Sequence, residues 1–216
     1  MRNYNGARYL VVLALLISVV ALSLGFAAFS RTLTIKSSAT VTNAQDAGVV
    51  LSTSTTAANT GNVTPTVSPS SNGPTGAVAT LAADTISGLK ATFTGTNQTV
   101  TYTFAARNTG AFTYYLNQVN FLDAEGSETT KVCTAKTGTT QSYVDAACEG
   151  ITLSVKVGTN GGPYTTTQAN LSGHSLAKNT GEAVVVTITY ANNASVADGD
   201  FDVAFGDIQL VYGTAD

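Results

Sequence analysis

Alternation with a period of two runs through the apolar stretches of this chain and restricts its fold more than any other feature. In Thr99–Arg107 the residues Val100, Tyr102, Phe104 and Ala106 fall on one side of an extended backbone, with Thr101 and Thr103 on the other. Ile151–Val157 sets Ile151, Leu153, Val155 and Val157 against Thr152, Ser154 and Lys156. Val184, Val186, Ile188 and Tyr190 alternate with Thr187 and Thr189 in the same way, and Phe201, Val203 and Phe205 flank Asp202. A helix would scatter these residues around its axis, whereas a strand buries one set and wets the other. Half-buried antiparallel strands are therefore expected. The composition agrees. Thr supplies about a sixth of the 216 residues and suits a pleated surface. Only 11% of residues are charged, against about 25% in an ordinary soluble domain.

Weaker strand signals at Arg31–Lys36, Gly48–Ser52, Ile86–Thr94, Phe112–Leu122 and Ile208–Tyr212 bring the expected total to about nine or ten. Turn clusters separate them at Asn108-Thr109-Gly110, Asn160-Gly161-Gly162-Pro163, Asn179-Thr180-Gly181 and Asp198-Gly199. Beyond Phe29 no stretch sustains helical periodicity, and no repeat of fixed period suggests a solenoid or propeller. The expectation is an all-β chain, an antiparallel β-sandwich of jelly-roll or Greek-key type, preceded by an apolar N-terminal segment.

That segment is Tyr9–Phe29, 21 uncharged residues after Arg2 and Arg8. A positive flank, an apolar run and then small residues make an export signal. Gly25 and Ala27 stand where a signal peptidase reads small side chains, so cleavage is expected between Ala27 and Ala28. As a helix the run would be about 31 Å long, enough to span a bilayer, so a retained anchor is the alternative. A prepilin leader cut after Gly6 is a third option, although Val11 stands where type IV pilins usually carry Glu. Residues 1–27 are thus read as signal peptide or anchor, and residues 28–216 as one sandwich domain, extracellular or at the cell surface. From residue 28 onward 8 basic residues face 13 acidic ones, a net −5. An acidic product is a poor nucleic-acid partner.

Ser52–Gly76 holds three of the four prolines and almost no large apolar side chain, and it is expected to form a long exposed loop. Cys133 and Cys148 are the only cysteines and lie 15 positions apart in a chain bound for export. A structural disulfide pinning a Thr-, Gly- and Ala-rich loop is expected, worth about 3 kcal/mol in the chain-entropy model. His174, the single histidine, lies in a turn-like Ser172-Gly173-His174-Ser175 and is expected to be a solvated loop residue. With no second histidine, no HExxH and no GxSxG elbow, no catalytic residues, cofactor or zinc site are expected. Asp198, Asp200 and Asp202, with Asp207, form the one dense acidic group. They are a weak Ca²⁺ candidate without EF-hand spacing, and carboxylates keeping edge strands soluble explain them better. Asn62, Asn97, Asn170 and Asn193 satisfy N-x-[ST], a pattern that a Thr-rich chain produces by chance. A Lys–Asn isopeptide staple is a further cross-link with no pair specified.

The junction Leu24-Gly25-Phe26-Ala27-Ala28-Phe29-Ser30 resembles the processing site of the TasA/camelysin family of secreted biofilm-matrix fibre proteins, whose signal is of the SipW type. Val100–Gly110, a strand ending in Asn-Thr-Gly, and the closing stretch Val184–Gly213 are similar to that pattern as well. The resemblance implies a non-enzymatic jelly-roll subunit that polymerises by donor-strand complementation, each N-terminal strand completing its neighbour's sheet. Ala28–Lys36 suits the donor role, with Phe29, Leu33 and Ile35 apolar and Arg31 in phase with them. The partners so implied are other copies of the chain, the signal peptidase during export, and cell-surface or matrix components. A membrane-anchored adhesion or binding module is the alternative from another class, and a secreted hydrolase ranks third.

Overall fold

The strongest alternation becomes the centre of the largest sheet. A computed structural model describes residues 48–122 and 131–214, all within one compact unit, Val41–Asp216. Among these residues the first half of the chain forms β1 (Val49–Ser52), β2 (Asn62–Val63), β3 (Thr66–Ser68), β4 (Thr75–Gly76), β5 (Ala79–Leu81), β6 (Thr85–Ser87), β7 (Lys90–Phe93), β8 (Gln98–Asn108) and β9 (Tyr114–Phe121). The second half forms β10 (Val132–Ala135), the helix α1 (Gln141–Cys148), β11 (Ile151–Val157), β12 (Gly161–Tyr164), β13 (Ser175–Leu176), β14 (Gly181–Tyr190), β15 (Phe201–Ala204) and β16 (Ile208–Gly213). All pairings between these strands are antiparallel.

Sheet I runs β1-β8-β14-β11-β12, with β3 also paired to β8; sheet II runs β13-β9-β16-β6-β5-β2; sheet III runs β10-β15-β7-β4. Sheet I faces the other two across one continuous core. The even-numbered residues of β8 and β14 and the odd-numbered ones of β11 point inward and are buried: Val100, Tyr102 and Phe104, then Val184, Val186, Ile188 and Tyr190, then Ile151, Leu153, Val155 and Val157. From the opposite layers come Leu116, Val119, Ile208 and Leu210 of sheet II and Phe93, Phe201 and Val203 of sheet III. Tyr190 meets Phe93 and Phe201 edge-on, at centroid distances of 5.6 and 5.5 Å. Tyr102 donates its hydroxyl proton to the carbonyl of Lys90 at 2.7 Å, tying β8 to β7. All-β architecture with packed antiparallel sheets is thus the fold of the described residues.

The hydroxyls form rows on the outer face of sheet I. Register places Thr152, Thr189, Thr99 and Ser68 in one line across four strands, and Ser154, Thr187, Thr101 and Thr66 in the next. The Thr-rich composition is the wet half of the alternation.

Five expectations need correction. The described residues hold sixteen strands rather than nine or ten, because several edge strands have only two residues. Ser52–Gly76 is exposed over most of its length but is no plain loop, since it contains β2, β3 and β4. The segment between the cysteines carries a helix. Asn160–Pro163 is not simply a turn, because the chain reverses at Gly158–Asn160 and β12 begins at Gly161. Ile86–Thr94 is divided at Gly88, whose φ of +76° only glycine adopts cheaply, into β6 and β7. The signal segment, the Ala27/Ala28 cleavage site and the Arg31–Lys36 strand lie outside the described residues.

The aromatic trio joins sheets I and III. Phe93→Ala is expected to cost about 3–5 kcal/mol in urea unfolding, whereas Phe112→Ala, at a side chain 66% exposed, should change stability by less than about 0.5 kcal/mol.

Candidate functional site

Sheet III ends at β10, and the way this edge is finished sets it apart. β10 pairs with β15 from Val132–Ala204 to Ala135–Phe201, and the N–H of Lys136 donates to Asp200 O at 3.1 Å. Even-numbered backbone groups here therefore turn toward β15, and those of Cys133 and Ala135 turn outward. The outward groups meet a side chain. Gln141 Oε1 accepts the N–H of Ala135 at 2.9 Å, and Gln141 Nε2 donates to the carbonyl of Cys133 at 3.1 Å. One residue of a parallel neighbouring strand bonds the same two groups, the C=O of residue i−1 and the N–H of residue i+1. The Gln141 amide stands in for a strand.

Gln141 begins α1, which forms because Ala146 and Ala147 favour helix and because Val144 and Ala147, three positions apart, bury one face. At the first turn Thr140 is extended and makes no capping bond with its own side chain. Asp198 supplies the acceptors instead, taking the Thr140 N–H at 2.9 Å and its hydroxyl at 2.6 Å. These two bonds, the hydroxyl's first, hold the Asp198 carboxyl below the usual carboxylate range. At the last turn Cys148 is bonded to Cys133, Cα to Cα 6.1 Å. The disulfide thus fastens a helix to an edge strand. Lys136 pairs with Asp202 at 3.3 Å, and Thr92 donates to the same carboxylate. Both partners are about half exposed, so the pair adds little stability. Asp202, Thr92, Lys90, Thr75 and Thr134 border a shallow groove of about 490 Å³ on sheet III.

A second cluster lies where β14 starts. Glu182 occupies an inward-facing position, with a side chain 14% exposed. Its Oε2 lies 2.7 Å from Nε2 of His174, and its Oε1 accepts the hydroxyl of Tyr212 at 2.9 Å. Tyr164 is near enough for the Glu182 charge to raise its pKa, after burial has raised it more. Tyr212 titrates well above its ordinary range, through burial first and then the charge and hydrogen bond of Glu182. A Cβ on Gly158 would collide with the Glu182 carboxylate, so this glycine keeps the pocket open for the pair. The arrangement joins sheet I to sheet II and to the segment before β13.

The expected site residues fall as follows. Cys133 and Cys148 are disulfide-bonded. Asp198, Asp200 and Asp202 do not converge: Asp198 caps α1, Asp202 pairs with Lys136, and Asp200 uses its backbone carbonyl toward Lys136 and Thr139. Among the described residues no three His, Cys, Asp or Glu gather as a metal ion would need. His174 is not solvated, being 13% exposed and paired. Asn62, Asn97, Asn170 and Asn193 are all exposed. Ala27, Ala28, Phe29, Leu33 and Ile35 lie outside the described residues. Gln141 and Glu182 carried no signal in the sequence, because each acquires its role only where the fold brings its partners, Cys133 and Ala135 or His174 and Tyr212, against it. Among the described residues no helix is long and apolar enough to cross a membrane. No family model, curated protein or solved structure matches the chain.

His174→Ala leaves a largely buried carboxylate with Tyr212 alone and is expected to cost about 1–3 kcal/mol in chemical denaturation at pH 7. Tyr212 also predicts alkaline sensitivity. Folded Tyr212 keeps its proton where the unfolded phenol, titrating near 10, has lost it. Its contribution is therefore whole below about pH 10 and is lost as pH rises beyond. Unfolding free energies measured from pH 8 to 11 should fall less steeply in Tyr212→Phe than in the parent.

Proposed function

We propose that this chain is an exported, non-enzymatic structural subunit of an extracellular fibre or cell-surface matrix, a sandwich of jelly-roll or Greek-key type that polymerises by N-terminal donor-strand complementation. The observation that carries this reading is the finish of one sheet edge. Among the described residues the outer strand of sheet III, β10, is finished by a side-chain amide where a further strand would lie. An edge of that kind is a template for strand addition, in which main-chain hydrogen bonds give affinity and alternate side chains give register.

The rest of the chain supports the same reading. Ala28–Lys36 alternates apolar and polar residues, and eleven residues, 37–47, separate it from Gly48. Fully extended, such a linker reaches about 36–40 Å, comparable with the diameter of a domain this size, so the segment is long enough to reach a neighbouring subunit. A disulfide suits an oxidising location outside the cytoplasm.

Electron microscopy of the exported protein, with N-terminal sequencing of the same sample, tests the proposal. Filaments whose subunits begin at Ala28 are expected, and deletion of Ala28–Lys36 should abolish them. A membrane-bound monomer beginning at Met1, or unchanged filaments after the deletion, would sink it.

A further inference from the structure

We infer that the outward edge of β10 is the acceptor for the Ala28–Lys36 strand of a second copy of this chain, and that Gln141 of α1 holds this place in the free subunit. The inference rests on the fibre reading above and names the acceptor that the reading leaves open.

The remaining edges are poorer acceptors. β12 contains Pro163, which has no N–H to give, β2, β4 and β13 offer two residues each, and β3 offers three. Beyond β13 the flank of β9 is already bonded: Phe121 N–H donates to Thr167 Oγ1, Leu171 N–H to the carbonyl of Asn117, and Leu116 N–H to that of His174. Leu51 of β1 donates outward to Ala83. β10 has four residues, and among the described residues one flexible side chain, Gln141, holds the Cys133 carbonyl and the Ala135 N–H.

That side chain can leave without a covalent change. The bridge between Cys133 and Cys148 tethers the last turn of α1, whereas the first turn is held by Gln141, by the Asp198–Thr140 bonds and by buried Val144. An incoming strand would replace two side-chain bonds with a main-chain ladder and would cover Val132, now 57% exposed.

The basic donor segment has an acid to meet at this edge. Ala28–Lys36 carries Arg31 and Lys36 and no acid, whereas residues 37–216 hold six basic residues and thirteen acidic ones. Asp200 and Asp202 belong to the β15 side of β10, and Asp202 and Asp198 are already bonded, to Lys136 and Thr92 and to Thr140. On the outward side Asp145 of α1 accepts from Gln141 Nε2 at 2.7 Å, and release of Gln141 would leave this carboxylate beside the edge for Arg31 or Lys36 of the donor.

Two substitutions that break the same Gln141–Ala135 bond should act in opposite directions. Gln141→Ala removes the competitor and leaves the edge intact, so assembly of the exported protein, followed by light scattering and electron microscopy, should accelerate about tenfold if two modest hydrogen bonds are lost from the free state. Ala135→Pro removes an outward N–H while sparing the ladder to β15, a position where an edge strand tolerates proline, and it should block assembly. Circular dichroism melts confirm that both variants fold. Hydrogen exchange on the parent supplies a readout that needs no variant: assembly should protect the amides of Cys133 and Ala135 and expose those of the first turn of α1. If the parent assembles and Ala135→Pro assembles equally well, β10 is not the acceptor while the fibre reading stands. If the parent does not assemble at all, the fibre reading falls and the acceptor with it.

Discussion

Ten consecutive residue pairs join β8 to β14, from Arg107–Gly181 to Gln98–Tyr190. This ladder fixes which side chains of both strands face the core, and each neighbour added to it inherits the choice. β11 reads its register from β14, with Val155 opposite Val186 and Leu153 opposite Ile188. β1 and β3 read theirs from β8. Because the side-chain period is two, a slip of one residue in the ladder would turn the apolar set of one strand to water, Tyr102 and Phe104 of β8 or Val186 and Ile188 of β14, and carry that strand's Thr residues inside. The cost of burying those hydroxyls without partners makes the register effectively unique.

Sheets II and III close the core from the other side, and different chemistry fastens each to sheet I. Sheet III is held by aromatic edges and by the Tyr102 hydroxyl, so its attachment is mainly apolar with one directional bond. Sheet II has in addition the polar clamp of His174, Glu182 and Tyr212. Glu182 is the inward-facing residue nearest the open end of β14, and a carboxylate there is tolerable because two donors satisfy it. Beside it, Asn108 is fully buried at the end of β8 and is likewise satisfied, donating to Phe112 and Leu176 and accepting the N–H of Gly110. The Asn-Thr-Gly turn thus owes its asparagine to three bonds, not only to turn propensity.

Much of the sandwich was legible because its long strands bury one face each, and the burial of Val100, Leu153, Val186 and Val203 follows their sequence spacing directly. The cysteine pairing was legible from count and separation. What was hidden depends on partners distant in sequence. α1 has eight residues with two buried, too few to show a helical period, and its first turn is capped by Asp198, 58 positions from Thr140. β2, β3 and β4 arise in a Pro- and Ser-rich segment because neighbouring strands lend them hydrogen bonds, not because their own residues favour extension. His174 in its Ser-Gly-His-Ser setting reads as solvent-facing, and only the fold brings Glu182 and Tyr212 to it.

The edges show how the remaining exposure is managed. A long bare strand invites aggregation, and the described edges avoid that by being two or three residues long, by carrying Pro163, or by bonding to irregular chain. β10 is handled differently, with a covalently tethered helix presenting one amide to it. Proline or a charged residue would have closed this edge permanently at less structural complexity. A side chain held by two hydrogen bonds protects the edge only until a better ligand arrives, and a strand supplies more bonds than one glutamine can. The helix that carries Gln141 is fixed at its last turn by the disulfide and at its first by Asp198, so parts of the chain far apart in sequence cooperate to finish this one edge.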